Sequence, residues 1–195
     1  MKQKARISAL LALLMILLPI SQSSAYVLSP CKQQFDLPRQ VSFCWGGEAG
    51  QSGSIWQNAY LSAAASWSSA QSYIAWYNVS SSRNMMTTFF HIDPALYGEA
   101  EITYNLTTRY ITQCVMKLNT YSLGGKSANF RQSVACHEQG HGFGLGDENS
   151  ISPAVMNQNR NREVIYTPQS DDLLGIYALY GSGGVDKLPG STSHR

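Results

Sequence analysis

Charge is scarce in this chain and nowhere concentrated: 14 Lys and Arg stand against 12 Asp and Glu in 195 residues. No basic cluster interleaved with aromatics occurs, so the formal net charge of +2 gives no footing for a nucleic-acid partner. Internal repeats, heptads and blocks of like charge are also missing, which excludes a solenoid, a coiled coil and a charged tail. No serine-centred nucleophile motif is present. Long apolar runs are few as well. The one at residues 7–20 covers only about 21 Å as a helix, short of the roughly 30 Å hydrocarbon core of a bilayer.

That run has another reading. Lys2, Lys4 and Arg6 precede it, and Ser23-Ser24-Ala25 supplies small residues at the spacing expected for cleavage. Residues 1–25 are therefore read as a signal peptide, with the mature chain beginning near Tyr26. Cys31 lies too far past the apolar run, behind Pro30, to serve as a lipoprotein anchor. Setting aside the three basic residues leaves eleven Lys and Arg, a mature net charge near −1. The expectation is a secreted protein, periplasmic if its host is Gram-negative. About 170 remaining residues suit a single domain with a real core, placed at 26–184, with a flexible tail at 185–195.

Cysteine is sparse but even in number. Cys31, Cys44, Cys114 and Cys136 predict two disulfides in an exported chain. Of the three pairings, Cys31–Cys44 and Cys114–Cys136 are favoured. The first closes the N-terminal segment and the second ties a strand to a helix. The sharper alternative for Cys31 is a thiol that caps a metal in a latent precursor, which would strand an odd cysteine.

Periodicity places strands at 41–45, 73–79, 85–92 and 111–118, the last at the edge of a cleft where an extended peptide adds as one more strand. Helices are expected at 54–70, capped by Ser54, and at 129–143. A final helix opens at Thr167-Pro168, carries Asp171 and Asp172 at its positive end and stops at Gly181. Leu173, Tyr177 and Tyr180 form its expected buried stripe. Asn78-Val79-Ser80 and Asn105-Leu106-Thr107 are glycosylation sequons. His91-x-Asp93 has no histidine neighbours and reads as ordinary strand.

The chain has four histidines, and two lie in His137-Glu138-x-x-His141. Residues four apart share a helix face, so two imidazoles so placed reach one ion at about 2.0–2.1 Å. Glu138 follows the first ligand by about 100° of helix rotation and stands beside the metal, where a general base for water is needed. Gly144 is suited to end the helix in a left-handed conformation. The chain then doubles back to offer Asp147 as third ligand, leaving a fourth position open as catalytic zinc requires. Glu163, farther along in a polar stretch before Pro168, is the alternative third ligand.

His137-Glu-Gln-Gly-His141-Gly-Phe-Gly144-Leu-Gly-Asp147, with Ala154-Val155-Met156 downstream and residues 171–181 closing the domain, resembles the metzincin zinc endopeptidases. The wording over residues 115–181 is most similar to the matrixin branch. Asp147 departs from it, since matrixins carry a third histidine there, and is similar to the snapalysin-type secreted proteases. The resemblance implies an α+β domain: a twisted, mostly parallel sheet of about five strands, two long helices and a small C-terminal helical part. It also implies that Met156 forms a hydrophobic floor under the metal and that residues 157–166 wall the main specificity pocket, with Arg160 and Arg162 within them.

The expected function is a zinc metalloendopeptidase with one catalytic Zn2+ held by His137, His141 and Asp147, and with Glu138 as general base. Its partners are protein or peptide substrates, with no nucleic acid and no membrane in the mature form, and it acts as a monomer. The alternative is a secreted metzincin-fold protein used for binding or adhesion without proteolysis.

Overall fold

Short runs in which every second side chain is apolar build the sheet. In the computed structural model, which describes residues 26–181, β1 (Gln40–Trp45) buries Val41 and Phe43 while Gln40 is exposed. It lies between β2 (Ala75–Asn78) and β3 (Asn84–Phe89), parallel to both. β3 continues in parallel to β5 (Ile111–Asn119), and β4 (Gly98–Tyr104) closes the sheet antiparallel to β5. The order is β2-β1-β3-β5-β4. The domain is thus α+β, with a five-stranded, mostly parallel sheet and four helices among the described residues. The expected signal peptide and tail lie outside the described residues.

The cleft edge is a correction. β5 was expected there, but it is the fourth strand, buried between two partners, and β4 holds the edge. Gly98-Glu-Ala-Glu-Ile-Thr-Tyr104 is poor in β-formers, because glycine and glutamate are depleted in strands. Cross-strand pairing supplies what propensity lacks: Lys117 on β5 bonds both Glu99, at 2.8 Å, and Glu101.

α1 (Ile55–Ala70) starts where the Ser54 side chain accepts a hydrogen bond from Gln57 N. Trp56, Ala59, Tyr60, Ala63 and Trp67 recur at helical spacing and are all buried. Two of them also fix the layers by polar contact. The Tyr60 hydroxyl donates to Met116 O on β5, and Trp67 Nε1 donates to Cys136 O on the neighbouring helix. That neighbour is α3 (Ala128–Phe143), capped by Ser127 and preceded by a one-turn α2 (Thr120–Leu123).

α3 ends at Gly144, which has φ 105°. A Cβ there would stand 2.5 Å from Cys31 O, so both the left-handed backbone and the crossing chain demand glycine. Residues 27–29 run alongside this turn, with Ser29 N donating to Gly144 O and Gly146 N donating to Val27 O.

The last helix, α4 (Ser170–Tyr180), begins after Gln169 rather than at Thr167-Pro168. Its start is set by a reciprocal bond in which Gln169 N donates to the Asp172 carboxylate at 2.7 Å. The buried stripe also differs from expectation. Leu173 and Tyr180 pack against the core as expected, with the Tyr180 hydroxyl donating to Phe143 O, but Tyr177 is exposed and Asp172, Ile176 and Leu179 face inward. A carboxylate leads the stripe because it has backbone donors waiting inside.

The two expected disulfides are not formed: all four cysteines are buried free thiols. Side-chain direction is the reason. Cys136 faces α1, where its thiol lies 3.8 Å from Ser66 Oγ, instead of facing Cys114. Cys44 turns to Ser82 O rather than to Cys31. Burial pushes the Cys31 thiol up to about 11 and raises Cys114 and Cys136 as well, so these sulfurs stay protonated. Both sequons are exposed, and His91 and Asp93 accept local backbone N–H groups in the turn after β3.

Candidate metal centre

Helical geometry puts the His137 and His141 rings one turn apart on α3, and each is then aimed by the backbone. The His137 Nδ1 lies 3.0 Å from Val155 O, and His141 Nδ1 lies 3.0 Å from Leu145 O. A carbonyl only accepts, so both Nδ1 atoms carry hydrogen, and Nε2 is the lone-pair site of each ring whenever that ring is neutral. Those two nitrogens point at one another, 3.1 Å apart. Asp147 Oδ1 completes the triangle, 3.2 Å from His137 Nε2 and 3.4 Å from His141 Nε2. Among the described residues this is the one cluster of three such side chains. The turn at Gly144 delivers Asp147 as the spacing predicted. Glu163 is elsewhere, accepting a hydrogen bond from Ser127 Oγ.

Burial sets the charge states. It pushes His137 down to about 4 and so keeps it neutral. Burial works against a charged His141 too, but the Asp147 and Glu138 carboxylates outweigh it and hold its pKa above the usual value. The two neighbouring imidazoles hold Asp147 far below the carboxylate range. Glu138 is pushed up to about 7 by burial, a pKa suited to taking and returning a proton near neutrality. Its carboxylate rests against the first residue of the edge strand. A Cβ on Gly98 would lie 2.6 Å from Glu138 Oε1, so the strand approaches this closely only with glycine there. Glu138 therefore sits between the three-residue cluster and the edge strand of the sheet.

Met156 is buried, and its sulfur packs on the helix backbone beside His141. A Cβ on Gly140 would come within 2.3 Å of it. What holds this turn is a residue that sequence reasoning read only as a helix-dipole partner. The Asp172 carboxylate accepts from Val155 N at 2.8 Å and Met156 N at 3.1 Å, while Val155 O orients His137. Paired acids at a helix start were visible, but nothing in the sequence distinguished an inward acid from an outward one. Arg160, equally explained beforehand as loop polarity, is buried against Ser133 and Asn157, bonding Ser133 O and Oγ and Asn157 O.

Burial raises Asp172 to about 6, against the pull of three backbone N–H donors. Below about pH 4 the carboxyl is protonated in folded and unfolded chains alike. Between there and 6 the unfolded chain has released its proton and the folded chain has not. Stability from this group is thus full at the acid end and is lost as pH rises through 6, by about 3 kcal/mol. Urea melts in the presence of a chelator should show wild type losing ground to Asp172→Asn across that window. A constant difference between the two proteins from pH 4 to pH 7 would show that this carboxyl does not titrate there.

No protein-family model matches the chain, and no curated protein matches it.

Proposed function

We propose that this chain is a secreted zinc-dependent endopeptidase of the metzincin kind. One observation carries the reading: two imidazole lone pairs and a carboxylate oxygen converge within 3.1–3.4 Å of one another. Three ligands at about 2.0–2.1 Å from a tetrahedral zinc stand roughly 3.3–3.4 Å apart, so this donor set fits that ion. His137, His141 and Asp147 would hold it, and the half-exposed Asp147 leaves the outer side accessible to substrate. When bound, zinc supplies Lewis acidity, polarising a carbonyl oxygen and making water a stronger acid.

The chain's own residues do the rest. β4 offers an unpaired edge to an extended peptide and fixes its backbone by hydrogen bonds. Glu138, beside that edge, takes a proton from the attacking water and returns it to the leaving amine nitrogen. Val155 O and Leu145 O keep both imidazoles in the tautomer that donates through Nε2.

Casein hydrolysis that stops with a zinc chelator and returns on adding zinc is the expected result. A purified chain that carries stoichiometric zinc yet cleaves no casein, gelatin or peptide would favour a binding or adhesion role.

A further inference from the structure

A cavity of about 320 Å³ opens directly beside His137 and Glu138, between the start of β4 and the segment after Met156. Its lining carries Arg160 and Arg162, and Glu138 is the only carboxylate among the lining residues. Neither arginine forms an ion pair among the described residues. Arg160 bonds neutral oxygens of Ser133 and Asn157, and its Nη1 lies 3.4 Å from His137 Nδ1. Arg162 donates to Gln158 O, its buried Nε has no partner, and its guanidinium lies 5.0 Å from the Tyr97 ring and 5.8 Å from Phe130. Lys126 packs on the same two rings from 5.7 and 5.1 Å. Glu163, the acid next along the chain, is engaged by Ser127.

Aromatic faces thus hold Arg162 and Lys126 together, the first of them lining the cavity, while Arg160 lies buried at its wall. Such an arrangement is costly unless an anion enters, because like charges repel more strongly as water is excluded. A guanidinium lining a cavity, as that of Arg162 does, matches a carboxylate by charge-assisted hydrogen bonds.

We infer that this cavity selects a carboxylate on the substrate, on the residue that supplies the leaving amine, with Arg162 as the selecting side chain. The inference rests on the hydrolytic reading for its place in the reaction, since Glu138, which hands its proton to that amine, also lines the cavity. The carboxylate has two possible sources: a Glu or Asp side chain, or the free C-terminus of a short peptide.

The probes are amidated peptides identical but for Glu, Gln, Leu or Lys at one position, with a second set ending in free acids. Cleavage sites are mapped by mass spectrometry with the whole chain, and binding is measured by fluorescence anisotropy on the Glu138→Gln chain, whose turnover is too slow to deplete the peptide during the measurement. Glu should exceed Gln at least about tenfold in both kcat/KM and affinity. Arg162→Gln should collapse that ratio towards one, and Arg162→Glu should favour Lys. A preference confined to free acids over amides identifies the C-terminus as the source and still supports a carboxylate site.

Cleavage of all peptides with Glu no better than Gln overturns the inference and leaves the endopeptidase standing. Arg162-dependent binding of the Glu peptide without any cleavage keeps the carboxylate site and removes the hydrolytic reading. An unchanged Glu-to-Gln ratio in Arg162→Gln also overturns the inference.

Discussion

Glu138→Gln keeps its zinc and loses turnover by roughly 10²–10⁴ or more. Glutamine matches glutamate in size and still forms hydrogen bonds, so the contact with Gly98 and the packing of α3 survive. What disappears is the ability to accept a proton from water and pass it on. Metal content by elemental analysis should remain at wild-type level, and the melting temperature should not fall. A rise is plausible on physical grounds, since burial already disfavours charge at this position. Near-normal turnover in this variant would sink the assignment of the base. Loss of zinc together with activity would point to a structural role for Glu138 instead.

Asp147→Ala has the second large effect, and on a different readout. Two imidazoles alone make a weak site, so zinc should be lost on dialysis at neutral pH, and activity with it. Glu163→Ala should retain both, because that carboxylate is held by Ser127 Oγ at the start of α3. The opposite pattern, with Asp147→Ala active and zinc-loaded while Glu163→Ala is neither, would dismiss the ligand set. Asp147→His offers a graded test. A neutral ligand in place of an anionic one leaves the site more positive and should move the acidic limb of the pH–rate profile downward.

Local geometry explains which parts were readable in advance. His137 and His141 meet because helix periodicity allows nothing else, and Gly144 is the residue that a left-handed stop requires. Ser54 and Ser127 mark helix starts by the same short-range logic, although only Ser54 was read as a cap. Long-range choices were opaque. Whether β4 or β5 takes the edge depends on pairing between strands, and Glu99 and Glu101 look like loop residues until Lys117 is found opposite. The cysteines failed for a related reason: an even count does not say which way a sulfur points, and Cys136 points at α1. Arg160 and Asp172 were misjudged alike. A charged residue in a polar stretch is read as solvated unless its buried partners are known, and those partners are backbone groups far along the chain.

The grip of Asp172 on residues 155 and 156 gives the molecule a sense of time. A nascent chain carries His137, Glu138, His141 and Asp147 well before residue 172 has been made. Until that carboxylate arrives, Val155 N and Met156 N lack the acceptor that fixes the turn whose carbonyl orients His137. Synthesis runs from the N-terminus, so a ribosome or an export channel that still holds the last helix also holds back the completed centre. On the proposed function, hydrolytic capacity would thereby wait until the last helix has been made.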